Sequence, residues 1–334
     1  MHPTAQVSAG ATLEDGVEVG PFCCVGEGVR LGAGTRLLSH AVIEGPTVLG
    51  VENEVHPFAV LGGAPQDRSY QGEATRLEVG DRNVFREHVT VHRGTSKDQG
   101  VTRIGSGGLF MAGCHVAHDA RVGDGVTLAN GTLLAGHVRV EDHAVTGGLV
   151  AVQPFVRLGE SCFLAGGAMV EGDVPPFVIA GGDRARVRAL NTVGLRRRGV
   201  DGASLDALER AFRLLFRGGV ARSEALARLQ ATSPLDPWVA RLLRFLARSG
   251  LLRGCKRPAT GGFVRGRAKE GLAPGTGVAT LASAVAPRRD FHAALSSAPH
   301  DAAAYRSHPV HLLRPRWRRA AGPGRVPSGL VVLR

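Results

Sequence analysis

Six histidines crowd the middle of this chain: His88, His92, His115, His118, His137 and His143. One of them has a setting suited to proton transfer. In the segment CHVAHDA, His118 is followed directly by Asp119, and eighteen residues further on, in LAGH, stands Gly136. A histidine that is neutral near physiological pH can take a proton from a hydroxyl, a neighbouring carboxylate can orient the ring and stabilise the imidazolium, and a glycine can offer its N–H to a developing oxyanion. Those are the parts that acyl transfer needs. Spacing alone leaves two other readings open: a histidine that only packs, and a ligand to zinc, which three such residues can hold.

The elements that must position these residues follow from a period of six. From Val7, every sixth residue is aliphatic through Leu13, Val19, Val25, Leu31, Leu37, Ile43, Leu49, Val55 and Leu61. The phase resumes at Val79, Phe85 and Val91, and again from Ile104 to Val140, with Thr146 as a break before Val152, Leu158, Leu164 and Val170. Neither an amphipathic helix nor an alternating strand has this period. Hexapeptide repeats predict an all-β left-handed parallel β-helix, a triangular prism in which each unit makes one short strand and one turn. Three units make a coil, so residue i stacks on residue i+18 about 4.8 Å away. That stacking sets Gly136 against His118. The fourth position after each aliphatic residue is usually small, and Cys23, Cys114 and Cys162 occupy it, which makes them core fillers.

Two breaks in phase, residues 63–76 and 95–103, read as loops that leave the prism, where sites tend to be. Pro175 and Pro176 are expected to end the ladder, giving a β-helix over residues 1–181. A small α-helical C-terminal cap follows over 182–253. Its first helix carries Leu205, Leu208, Phe212, Leu215 and Phe216 on one face, with Ser204 as N-cap, and further helical runs cover 221–231 and 238–248. Residues 254–334 lose all periodicity and read as a disordered or aberrant basic tail. The formal net charge of +12 resides there: beyond residue 250 there are 15 basic and 3 acidic residues, against 26 of each before it. The repeats are therefore neutral, which argues against a nucleic-acid partner. Five cysteines without a CxxC pair and the absence of a basic-then-apolar leader point to a reducing cytoplasm, and no apolar run is long enough to span a bilayer.

Residues 1 to about 253 resemble the UDP-N-acetylglucosamine acyltransferase family. The motifs carrying the resemblance are GGAPQD at 62–67, GDRNVFREHVTVHRGT at 80–95, HVAHDARVG at 115–123, LANGTLLAGHV at 128–138, DVPPFVIAGG at 173–182 and NTVGLRRRG at 191–199. The resemblance implies transfer of a 3-hydroxyacyl chain from acyl carrier protein to the 3-hydroxyl of UDP-N-acetylglucosamine, the first step of lipid A synthesis, with no metal or cofactor. It implies His118 as general base, Asp119 as support for the imidazole and the Gly136 N–H as oxyanion donor. Gln66 and Asp67 would hold the glucosamine, His115, His137 and Asn191 would contact substrate, and Arg197 and Arg198 would meet diphosphate. A homotrimer with sites between subunits is implied as well.

The chain departs from the family pattern at three places. Gln153-Pro154 stands where His-Gln is usual and near the substrate, Ser69 replaces a loop lysine, and Arg184 replaces a histidine. Gly166 matches the position where a glycine leaves the acyl groove open, which predicts a preference for chains of about 12 to 14 carbons. Three rivals are weaker: a zinc-dependent carbonic anhydrase on the same prism would not need the arginine motif, a related N-acyltransferase would carry a preceding uridine-binding domain, and a scaffold would bind neither substrate.

Overall fold

A computed structural model describes residues 1–248, and the expected basic tail at 254–334 lies outside them. Three sheets of very short strands wind about one axis, and each strand pairs with the third strand after it until the last coil. The winding is a left-handed parallel β-helix. Val7 pairs with Val25 and Val25 with Ile43, steps of eighteen residues that match the repeat. At the two breaks in phase the steps lengthen, to thirty residues from Leu61 to Val91 and twenty-five from Val91 to Val116, so the excursions add twelve and seven residues. The excursions lie between the strands Val60–Gly63 and Arg76–Val79 and between Thr90–His92 and Val101–Ile104. Their roots are themselves paired, Arg76 to Val101 and Leu77 to Thr102, so strand runs slightly further into both than the phase of the repeat suggests.

Two residues in six point inward, the aliphatic one and the small one four places after it. Leu31, Leu37, Ile43, Leu49, Leu61, Leu128, Leu134 and Leu158 are fully buried, and Phe85 stacks on Phe110 with ring centroids 4.8 Å apart. Each such side chain contributes roughly 1.5–3 kcal/mol through burial. The small position takes Cys23, Cys114 and Cys162, all buried and free, and burial pushes the Cys162 thiol up to about 12, so it carries no thiolate near neutrality. Thr146 interrupts the aliphatic row without leaving an unpaired group: its hydroxyl lies 2.8 Å from that of buried Thr132.

Buried asparagines support the corner below the first excursion. Asn53 donates through Nδ2 to the carbonyls of Gly50 and Gly80, and Asn83 donates to Gly105 O and Asn53 Oδ1 while its own Oδ1 accepts the Gly108 N–H at 2.8 Å. Removing a side chain that satisfies several buried groups costs about 1–3 kcal/mol or more. Asn83→Ala is therefore expected to lower stability by about 2–3 kcal/mol, read by urea unfolding; a midpoint equal to wild type would show that water replaces these bonds at no cost.

The end of the ladder corrects two expectations. Pro175 and Pro176 do not stop it: Val174 bridges Leu158, and strand Val178–Gly181 pairs in parallel with Phe163–Leu164. The prolines sit in the turn between these contacts, where the neighbouring Val174 and Phe177 N–H groups, donating to Arg157 and Glu160, carry the pairing. Arg186–Leu190 then returns antiparallel, so sheet continues past residue 182 and the helices start later. They are α1 (Thr192–Arg197), α2 (Gly202–Phe212), α3 (Arg222–Gln230) and α4 (Pro237–Arg248), with a π-helical turn at Arg213–Arg217. Asp201, not Ser204, caps α2: its carboxylate accepts the Ser204 N–H, while the Ser204 hydroxyl donates to Asp236. Asp236 in turn accepts the first N–H groups of α4. Helix α4 packs on the prism through Trp238 against Phe177 and Phe245 beneath the Arg157 guanidinium. No helix among the described residues is long and apolar enough to cross a membrane.

Candidate active site

The chain turns a corner between the strands His115–Val116 and Arg121–Val122, and Asp119 takes that turn in the left-handed region at φ 60°. A non-glycine residue there is uncommon and is held by its surroundings. Its own N–H donates to Thr102 Oγ1 at 2.8 Å, and its carboxylate, fully buried, accepts His118 Nδ1–H at 2.8 Å. Because the carboxylate engages Nδ1, the proton of the neutral ring is on that nitrogen and Nε2 keeps its lone pair. Thr95 completes the shell, giving its backbone N–H to Oδ1 at 2.9 Å and its hydroxyl to Oδ2 at 2.6 Å.

Gly136 lies one coil further along, directly under the imidazole. A Cβ at this position would fall 2.6 Å from His118 Cε1 and 2.8 Å from Nε2, so only glycine lets the ring lie where it does. The Gly136 N–H donates to no other group among the described residues. His137 follows, with its backbone N–H on His118 O at 3.0 Å and its ring edge-on to that of His118 at 5.3 Å. Phe155 stacks on His137 from the next rung, 4.5 Å away. The donor atoms of His118, Asp119 and His137 lie within 4.8 Å of one another. The contacts already present among them are those of a proton-bearing chain, in which Asp119 Oδ2 receives both the imidazole and the threonine hydroxyl.

His115 stands at the same face, its Nδ1 2.7 Å from Thr90 Oγ1 and its ring 4.8 Å from that of His92. Burial disfavours charge on both rings, lowering His115 and bringing His92 to about 4, so His92 is neutral at physiological pH. An open cavity of about 690 Å³ runs along this face, bordered by Gln66, His115, His118, Gly136, Gln153 and Pro154. Its floor continues as Leu133, Ala151 and Met169, in register one above the other on successive strands. At about 4.8 Å per rung, the line from His115 to Met169 makes an apolar strip roughly 14 Å long that leads away from His118.

Of the expected site residues, the structure thus gathers His118, Asp119, Gly136, His115, His137, Gln66 and Gln153. The others lie elsewhere. Asp67, next to Gln66, is turned to Lys97 Nζ at 2.6 Å and to the Ser69 N–H and hydroxyl, which hold its carboxyl far below the usual range. Lys97 thus brings a positive charge to Asp67, whose other oxygen faces Ser69. Asn191 is no free donor: it is buried, caps α1 through Gly194 N and donates to Ser161 O. Arg198 is engaged by Glu160 Oε1 at 2.7 Å and Ser161 Oγ at 2.6 Å, beside Trp238, whereas Arg197 is exposed on α1. None of these three borders the cavity. Gly166 is exposed and off the cavity, and a side chain there would meet Gly148 O at 3.4 Å, so it would stand out from the prism rather than fill the groove of its own chain. Arg184, 77% exposed, lies 3.6 Å from Glu171, which borders the cavity.

Thr95 and Lys97 were not singled out from sequence. A signal existed: stepping back from Asp119 by one coil and the seven-residue excursion reaches Gly94, the neighbour of Thr95.

The chain as a whole is similar to known proteins. Residues 173–255 match the family model described as UDP N-acetylglucosamine O-acyltransferase, domain 2. The acyl-[acyl-carrier-protein]--UDP-N-acetylglucosamine O-acyltransferase of Janthinobacterium sp. (strain Marseille) is 44% identical over 246 residues, 74% of this chain and 94% of that protein. The crystal structure of UDP-N-acetylglucosamine O-acyltransferase from Moraxella catarrhalis RH4 superposes with a TM-score of 0.73 at 40% identity, covering 75% of this chain and 99% of that one. The UDP-N-acetylglucosamine acyltransferase of Francisella novicida gives 0.74 at 32% identity, with 78% and 94% covered.

Proposed function

The chain belongs to the UDP-N-acetylglucosamine O-acyltransferase family, and from that membership we propose that it moves a 3-hydroxyacyl chain from acyl carrier protein to the sugar 3-hydroxyl of UDP-N-acetylglucosamine, with His118 as general base. The observation that carries the assignment of the base is the Nδ1–H donated to buried Asp119, which leaves Nε2 with its lone pair, close over Gly136. Nε2 takes the hydroxyl proton as the sugar oxygen attacks the thioester carbonyl. The charge that develops on the carbonyl oxygen is met by the Gly136 N–H. Collapse of the tetrahedral intermediate expels the carrier's thiolate, which takes the proton back from the imidazolium. The reaction is an early acylation leading to lipid A, run in the cytoplasm by a chain with no membrane-crossing helix among its described residues.

The acyl chain lies along the Leu133, Ala151 and Met169 strip, whose apolar side chains suit methylenes and offer charge nothing. Gln66 holds the glucosamine, with Asp67 beside it joining while still tied to Lys97; His115 and Gln153 line its approach, His137 backs it through its edge contact with His118, and Arg197 meets the diphosphate. Asn191 and Arg198 serve α1, which presents Arg197. Since α1 does not border the cavity of its own chain, a homotrimer brings the Arg197 of one subunit to the cavity of another. Gly166, exposed at the groove's far side, then leaves room between subunits for a long chain.

The test is transfer from a panel of 3-hydroxyacyl carrier proteins to UDP-N-acetylglucosamine. Donors of about 12 to 14 carbons are expected to give the highest kcat/KM, because each extra methylene in an apolar slot is worth up to about 1–3 kcal/mol of discrimination. Activity confined to 10-carbon donors would overturn the chain-length assignment, and no product from any donor would overturn the function.

A further inference from the structure

Asp119 places its carboxyl group in a fully buried position, and a buried group of that polarity persists only when hydrogen bonds compensate it. That compensation comes largely from outside its own coil. Thr95, itself buried at the root of the second excursion, donates twice, and its hydroxyl lands on Oδ2, the oxygen that also receives His118 Nδ1–H. We propose that Thr95 is a positioning residue, setting the aim and proton affinity of His118 through Asp119; this rests on His118 being the general base.

The residues that follow Thr95 reach the opposite way. Ser96 Oγ donates to Glu73 Oε1 at 3.2 Å and Lys97 Nζ to Asp67 Oδ2 at 2.6 Å, both acceptors belonging to the first excursion. Three consecutive residues therefore tie the buried carboxylate to the segment that contributes Gln66 to the cavity. The second excursion is a strap between the base and the sugar side of the site. The other charged or titratable groups near His118 are His137, edge-on at 5.3 Å, and His115 and His92, whose charging opposes that of His118. From the strap itself come Lys97, held by Asp67, and Asp98, 3.6 Å from Arg121.

The experiment compares full-length wild type, Thr95→Val and Thr95→Ser in acyl transfer across pH, with thermal melts as a fold check. His118 must be neutral to act, so kcat/KM rises with pH through the titration of its imidazole. Valine keeps the shape and removes the hydroxyl; a carboxylate that has lost this donor holds the imidazolium more firmly. Thr95→Val is therefore expected to lower kcat about tenfold and move the acid limb of kcat/KM to higher pH by roughly half a unit to one unit. Thr95→Ser, which keeps the donor, restores both, whereas Lys97→Met raises KM for the nucleotide sugar and leaves the limb in place. A folded Thr95→Val with a wild-type limb, or Thr95→Ser as impaired as Thr95→Val, overturns the inference. Should valine disturb the fold, Thr95→Ala carries the same expectation. NMR titration of the His118 ring in the same variants reads the effect of Thr95 without turnover, so an inactive wild type would sink the proposed reaction and still leave this inference decided.

Discussion

His118→Ala lowers kcat for acyl transfer by at least about a hundredfold, the low end of what a positioned general base supplies. The loss falls on kcat rather than on KM, because the ring acts on a proton that moves only in the transition state. The fold survives the substitution. Asp119 keeps both Thr95 donors when the imidazole is gone, so the buried carboxylate is not left bare, and the His118 side chain is itself 14% exposed at a corner of the prism. Steady-state kinetics with saturating acyl carrier protein and nucleotide sugar decide the matter. A variant within tenfold of wild type would mean that another group takes the proton.

Gly136→Ala is expected to be nearly as damaging, although it adds only a methyl group. Its Cβ would stand 2.6 Å from Cε1, 2.8 Å from Nε2 and 3.2 Å from Nδ1 of His118, well inside van der Waals contact. A flexible side chain could swing away, but this imidazole is tied at Nδ1 to Asp119 and flanked by the edge of His137. Two relaxations remain, and each disables the site. Rotating the ring breaks its bond to Asp119 and with it the tautomer; shifting the backbone moves the N–H proposed to meet the oxyanion. Loss of one such donor costs about a hundred- to a thousandfold in kcat, and the expected fall is of that order. Unfolding should be almost unchanged, since the crowded atoms lie at the rim of a cavity and not in the core. Wild-type turnover in this variant would show that the imidazole is free to move and that its geometry here is not the working one.

The fold was legible because one demand recurs with fixed period. An inward aliphatic side chain every sixth residue, with a small residue at the corner, can be satisfied only by stacking at i+18, and the pairings from Val7 to Val25 onward keep that step. His118, Asp119 and Gly136 were legible for the same reason, as neighbours in sequence or one coil apart. Contacts that cross an excursion were hidden, because the added seven residues shift Thr95 out of simple phase with Asp119. The ends of elements misled for another reason: Asp201 and Ser204 are both capping residues, and which one caps depends on Asp236, just before a later helix, which takes the Ser204 hydroxyl. Partners set by the fold were hidden likewise: Asn191 meets Gly194 and Ser161, and one guanidinium nitrogen of Arg198 meets Glu160 and Ser161.

A step of eighteen residues acts on this chain as a second reading frame. Inserting or deleting one residue within a regular coil would turn the inward side chains that follow outward, so the eighteen-residue step is kept until the last coil, where Leu158 bridges Val174 and Phe163 pairs with Ile179, both steps of sixteen. The two excursions are exempt, since twelve and seven extra residues leave and rejoin the stack without disturbing the pairing of Val55 with Phe85 across the first or of Phe85 with Phe110 across the second. Both exemptions open beside the site, one contributing Gln66 and the other Thr95. Variation in length is thereby channelled to the segments that bring Gln66 to the cavity and Thr95 to Asp119, while the column carrying His118 and Gly136 stays in frame.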